Sequence, residues 1–289
     1  MSHSKSFSLQ KIINYIGGTL IFFGVTYFVY SNWLSLNDFF KIFSTLGVAL
    51  AAYIVGALLY LNKEYDEVGS VFLMIAGLIL PVGIFIAFKL TELITGINNL
   101  SVVSFSISLV AFLLIFFYFG RIILLLFTII FASLLFFAVM ELITTKLNYF
   151  FDDLIAYQLV VLGSSYILLG YYFDLIKKYN LTGSLYFFGV LFILSGSYFL
   201  SGILSFDSTL WKMIVGVIIL LSFILSVPLQ SKSFLYFGAI FLVLFLVDLS
   251  RRLTPFFGEA GWPLILISLG FLFILMGSLI FHMQKKIKK

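Results

Sequence analysis

Ten long apolar runs follow one another along the chain, at roughly 12–30, 42–61, 68–88, 102–119, 122–143, 154–173, 183–203, 213–229, 234–253 and 262–281. Short polar breaks separate them, the longest of about a dozen residues. A helix rising about 1.5 Å per residue needs about 20 apolar residues to cross roughly 30 Å of hydrocarbon, so each run is close to one bilayer thickness. The runs are continuous rather than alternating, and a backbone in lipid must satisfy its own hydrogen bonds; they are helices, not barrel strands. The pattern predicts an all-α fold. It is a polytopic transmembrane helix bundle of about ten spans, forming one integral membrane domain over 1–289 with no soluble domain. The first run is longer than a signal-peptide core and is read as a retained span. The ninth run is uninterrupted only over Phe234–Val247. That is about 21 Å of helix, so it crosses only by continuing through Asp248.

Between the third and fourth runs, Leu90, Leu93, Ile94 and Ile97 fall at the spacing of one helical face. This predicts a short helix resting in the headgroup region, or a loop packed on its neighbours.

Composition agrees with lipid as the solvent. Hydrophobic residues make up 63% of the chain and charged ones 10%, with a mean hydropathy of +1.20; soluble domains carry about 25% charged residues. An even number of spans places both ends on one side. Of the 17 lysines and arginines, only Lys41, Lys89, Lys146, Lys212, Arg251 and Arg252 fall on the opposite side. The positive-inside rule then puts both termini in the cytoplasm, in a bacterial cytoplasmic (inner) membrane. Lys285, Lys286, Lys288 and Lys289 hold the last span in place or bind anionic lipid, at about 1 kcal/mol each near the surface. The basic residues are scattered over loops and form no nucleic-acid surface.

Several chemistries drop out. There is no cysteine, which excludes disulfides, thiolate metal sites and thiol catalysis. His3 and His282 lie in the tail and at the end of the last run, so no haem is held between spans. No glycine loop precedes a lysine in the phosphate-binding pattern. No cofactor and no metal are expected, and an integral membrane enzyme is the least supported reading.

Four features remain as candidates. Glycines recur seven residues apart at Gly17/Gly24, Gly163/Gly170, Gly189/Gly196 and Gly270/Gly277, two turns apart on one face, where a missing side chain lets helices approach closely. Pro81, flanked by Gly77 and Gly83, displaces the hydrogen bond to the Gly77 carbonyl and predicts a kink or break in the third span. Asp248, with Arg251 and Arg252 at i+3 and i+4, forms a candidate intramembrane charge cluster. Asp174 with Lys177 and Lys178 is read as a cytoplasmic interface cluster. Trp33 and Trp211 are read as interfacial anchors. The first and seventh runs look alike in their glycine and aromatic positions and run the same way. Pairing the first with the sixth would instead give five-plus-five inverted halves.

The first half resembles a family of bacterial membrane proteins known as domain of unknown function 2157. The resemblance rests on Tyr15-Ile16-Gly17 leading to Gly24 and Asn32-Trp33, a charged turn at Asn62–Glu67, a third span of small and apolar residues, and a tight hairpin around Gly120-Arg121. It covers roughly residues 10–145. It implies a bacterial integral membrane protein of unassigned activity and carries over no catalytic or binding residues.

Two functions are left: passage of a small solute or lipid, motivated by Pro81 and the sparse charge, and a non-catalytic scaffold or accessory subunit of a membrane assembly, motivated by the glycine faces. The bilayer itself is the one certain partner.

Overall fold

In the computed structural model, residues 9–61, 65–147, 154–176, 179–202 and 209–257 are described, together with the isolated helical positions 263, 267, 270, 271 and 274. The described residues are helices and turns. In chain order they are α1 (Leu9–Ser31), α2 (Asp38–Ile42), a π-helical turn (Phe43–Gly47), α3 (Val48–Tyr60), α4 (Asp66–Leu90), α5 (Ile97–Phe119), α6 (Ile122–Leu147), α7 (Leu154–Leu175), α8 (Tyr179–Leu200), α9 (Thr209–Ser226) and α10 (Lys232–Phe257). Of the expected tenth span, 262–281, only those isolated positions fall among the described residues.

Seven stretches among the described residues are long and apolar enough to cross a membrane: Asp38–Tyr60, Glu67–Leu90, Ile97–Phe119, Ile122–Lys146, Leu154–Leu175, Leu181–Leu200 and Lys232–Leu249. The first of these runs unbroken through α2, the π turn and α3. Helix α9 contributes a shorter apolar stretch, Lys212–Ser226. Helix α10 continues past Asp248 to Phe257, so the ninth run has 26 helical residues rather than the short core of its sequence.

The short helix expected over Leu90, Leu93, Ile94 and Ile97 does not form. Leu90 ends α4, Thr91 caps it by donating its hydroxyl to the Ala87 carbonyl at 2.8 Å, and Ile97 opens α5. Gly96, at φ +88°, turns the chain between them. At the next hairpin Gly120 sits in the left-handed region (φ +63°) and donates its N–H to Phe116 O at 2.7 Å, which closes α5 and lets α6 begin two residues later.

The chain, read above as one membrane domain, divides into two compact units, Met1–Tyr149 and Phe150–Lys289. In the first, α3 packs along α4 and α5 along α6. The core centres on Phe112, Phe127 and Phe131, whose rings lie 5.1–5.9 Å apart between α5 and α6. In the second, α7 and α8 form the closest pair, and α8, α9 and α10 pack on one another around Tyr186, Val215, Ile219 and Phe234.

Candidate functional site

Helix α4 spans Asp66–Leu90 with Pro81 inside it. Its flanking glycines serve packing with two different neighbours. A Cβ on Gly77 would fall 2.5 Å from the Phe127 ring, so this glycine makes room for an α6 aromatic. A Cβ on Gly83 would fall 2.7 Å from the Leu46 backbone, so this one seats the π turn.

That π turn is the feature the sequence reading missed. The Ser44 and Thr45 hydroxyls donate to the Phe40 and Lys41 carbonyls, each at 2.7 Å. Those carbonyls would normally take the backbone N–H of the same residues, and such back-bonding competes with the helix ladder. Gly47 follows, and the Val48 N–H reaches back five residues to Phe43 O. Single π turns are frequent at functional sites. The sequence signal was a Ser-Thr pair followed by glycine in an otherwise apolar run.

Two cavities flank the π turn. One, of 620 Å³, lies against Gly24, Phe28 and Val29 of α1 and Phe40, Phe43 and Ser44 beyond the intervening turn. The other, of 300 Å³, is bounded by Leu46 and Tyr53 on one side, Leu80 and Ile84 of α4, and Ala111 of α5. Both walls are hydrocarbon almost throughout. The Tyr53 hydroxyl donates to Ala111 O at 2.6 Å rather than offering itself to a ligand.

Asn37 opens α2 by accepting the Phe40 N–H at 2.9 Å. One turn on, the Lys41 ammonium pairs with Asp38 at 3.2 Å and lies 5.3 Å from the centre of the Trp33 ring. Trp33 thus belongs to a cluster of a cation, a carboxylate and an aromatic ring.

The glycine pairs divide sharply. On α7 and α8 they face one another: a Cβ on Gly163 would fall 2.7 Å from Gly189 O, one on Gly189 2.7 Å from the Ile167 side chain, and one on Gly196 2.7 Å from Ala156 O. Gly170 makes room for the Tyr186 ring, at 2.8 Å. By contrast, a Cβ on Gly17, Gly24 or Gly270 would meet nothing within 4 Å among the described residues. Gly277 lies outside the described residues. Close approach also occurs at Gly56 and Gly69, where α3 meets α4 backbone to backbone, a pair that no spacing within one helix reveals.

Asp248 is half-buried on α10, whereas the side chains of Arg251 and Arg252 lie outside the described residues, as do Asp152, Asp153 and the Trp211 side chain. Glu141 is exposed. Asp174, read from sequence as one of a charged interface group, has a buried tyrosine as its partner. It accepts the Tyr186 hydroxyl at 2.5 Å, and Tyr186 is itself almost completely buried and edge-on to Phe234. Lys177 and Lys178 lie outside the described residues. Several buried serine hydroxyls turn back on their own helices, as Ser104 does to Leu100 O and Ser133 to Ile129 O. Ser197 is the exception among the described residues, its buried Oγ lacking any hydrogen-bond partner. No group of three or more His, Cys, Asp or Glu side chains among the described residues is placed to hold a metal ion.

The fold therefore defines a multi-pass membrane protein with several apolar helices. Residues 1–115 match the family described as "Predicted membrane protein (DUF2157)". The match runs from before α1 into α5, so the resemblance stops short of the Gly120-Arg121 hairpin. No curated protein and no solved structure matches the chain.

Proposed function

We propose that the chain is a non-catalytic scaffold or accessory subunit of a bacterial cytoplasmic membrane, with ten spans and both termini in the cytoplasm. The observation that carries this reading is the direction of the buried hydroxyls. Ser104, Ser108, Ser133, Ser222 and Ser226 each donate to a carbonyl of their own helix. Together with two cavities walled by hydrocarbon, they offer a hydrophilic solute no polar lining at these places among the described residues. Small-residue seams such as α7–α8 are the means by which membrane helices associate.

The test is purification in mild detergent: a stoichiometric protein partner is expected, and a chain that is monodisperse and alone overturns the reading. A reporter fused after Lys289 should be active only on the cytoplasmic side. The four C-terminal lysines are proposed to hold that end at the anionic surface.

The second reading, passage of a small solute or lipid, finds support on its lipid side in the open apolar groove beside α1. It requires that Pro81→Ala or Asp248→Asn change the movement of labelled lipid across reconstituted vesicles; unchanged rates in both remove it.

A further inference from the structure

We infer that the 300 Å³ groove between α3, α4 and α5 seats one acyl chain of a bilayer phospholipid, entering from the leaflet on the side where α4 ends and α5 begins. The site is independent of the scaffold reading and would persist if that reading failed.

The groove exists because two neighbours of α4 leave a space above it. The π turn and α3 are drawn onto α4 at Gly83 and Gly56, and α5 packs on α4 as well. Helix α3 reaches α5 through tyrosine rings: Tyr53 lies 5.8 Å from Phe112 and Tyr60 5.2 Å from Phe119. The width of a ring therefore separates the two flanks. Leu80 and Ile84 of α4 form the floor and are buried, whereas Leu50 and Ile107 stand on the two lips and are 45% and 43% exposed. Both lips belong to stretches apolar and long enough to cross a membrane, so the mouth is continuous with the lipid-facing surface. Leu46, Leu50 and Tyr53 share one face of the Asp38–Tyr60 stretch. Ser44 and Val48, which face α1, lie on the opposite face.

The chemistry of the lining sets the occupant. It is hydrocarbon throughout, and the Tyr53 hydroxyl is already bonded to Ala111 O at 2.6 Å. The space equals roughly ten waters at about 30 Å³ each, yet a water needs two to four polar partners. Left empty, the lining would forfeit its dispersion contacts on that side. Hydrocarbon fills it without loss.

The dimensions decide which hydrocarbon. Along α4 the floor runs from Phe88, two residues from the helix end, down to Leu80. That is about 12 Å at 1.5 Å per residue, against about 15 Å for the hydrocarbon of one leaflet. Spread over that length, 300 Å³ averages about 25 Å² in cross-section. A helix is about 10–12 Å across with its side chains, so neither a second copy nor a partner can lay one in the groove. A single extended acyl chain is slender enough. It would enter beside Ala87 and Phe88, near headgroup level, and end against Tyr53 and Ala111 near the bilayer centre. The lining carries no charge, so the site recognises the chain and not the headgroup.

The test places the full chain in vesicles containing a trace of phospholipid with a photoreactive diazirine on one acyl chain, and maps the adducts by peptide mass spectrometry. A diazirine near the ester should label Ala87 and Phe88, and one near the methyl end Tyr53 and Ala111. Ala111→Phe fills the deep end. It should lower methyl-end adducts at Leu46, Leu50 and Tyr53 about fivefold relative to those at the exposed Val110 and Leu114 of the same helix. An unchanged ratio overturns the site. Should that variant fail to fold, Ala87→Phe at the upper end is read in the same way with the near-ester probe. Should both fail, the depth order in the wild type decides, and a reversed or missing order overturns the site. Phosphatidylethanolamine and phosphatidylglycerol probes with the same chains should label alike; a preference above about threefold overturns recognition by the chain alone. Cross-links from the groove residues to another protein, or to a second copy of this chain, in place of lipid also overturn it.

Discussion

The α7–α8 seam makes one substitution change sign between two places in the same chain. Adding a methyl group at Gly163 puts carbon 2.7 Å from the Gly189 carbonyl oxygen and 2.7 Å from the Ile193 nitrogen. Ordinary contact begins at 3.4 Å, so the seam must open by about 0.7 Å. The obstructing atoms include backbone, and no side-chain rotation relieves them; the whole helix has to move. A gap of 0.5–1 Å forfeits roughly a quarter to a half of each dispersion contact along the seam, and overpacking of this kind costs about 1–3 kcal/mol. Alanine also stiffens a helix relative to glycine by up to about 1 kcal/mol. At Gly24 only that second effect operates, because the new Cβ meets nothing among the described residues. Gly24→Ala should therefore be neutral or stabilising, and Gly163→Ala destabilising. Taking the difference between the two variants cancels propensity and isolates the steric term, about 2 kcal/mol. Reversible unfolding in mixed micelles, followed by circular dichroism, measures it. A difference below about 0.5 kcal/mol would refute the close approach as the source of α7–α8 stability.

Other expectations follow from single side chains. Tyr186→Phe keeps the ring against Gly170 and Phe234 but removes the hydrogen bond to Asp174, leaving a half-buried carboxylate without that donor; a loss of about 1–3 kcal/mol is expected in the same unfolding assay. Ser197→Ala deletes a buried hydroxyl that has no partner among the described residues, so it should be neutral or stabilising by up to about 1 kcal/mol, and a clear loss would mean that the hydroxyl is bonded in the membrane. Ser44→Ala with Thr45→Ala removes both hydroxyls that compete for the carbonyls of Phe40 and Lys41; hydrogen exchange at Val48 should slow as an α-helical ladder replaces the π turn, and unchanged exchange would assign the turn to Gly83 packing alone.

Seven of the expected spans reappear among the described residues, and they were legible because the free energy of burying apolar surface in lipid depends on run length, which the sequence states directly. Element ends were less so. Helix α5 begins at Ile97, five residues before the apolar run, since Asn98, Asn99 and Ser101 remain helical once they bond to one another's surroundings: Asn98 donates to Thr145, and Ser101 to Ile97 O. Helix α10 likewise carries Asp248 without stopping. Glycine spacing showed which face of a helix is bare but not whether a neighbour occupies it, which is why Gly163 and Gly24 read alike and pack differently. The π turn depends on two hydroxyls and on a glycine in another helix, Gly83, so no single stretch of sequence contains it.

The deeper reason is that apolarity loses its power to mark the inside of a membrane protein. Phe112 and Phe117 lie five residues apart on α5; the first is completely buried and the second is 75% exposed. In water that contrast would be worth about 2–3 kcal/mol and would disfavour a phenylalanine at the outer position. In lipid both surroundings are hydrocarbon, so the two residues are chemically equivalent and the sequence has no need to distinguish them. What selects the inner face is shape. Phe112 is held by Phe127 and Phe131 of α6, and Phe127 in turn fits the space left by Gly77 of α4. A large residue on one helix is matched to an absent one on another, a correlation between distant positions that hydropathy cannot express. The same argument covers the buried serines: a hydroxyl inside hydrocarbon finds its nearest acceptor one turn back on its own helix, and Ser104, Ser108 and Ser133 all take it.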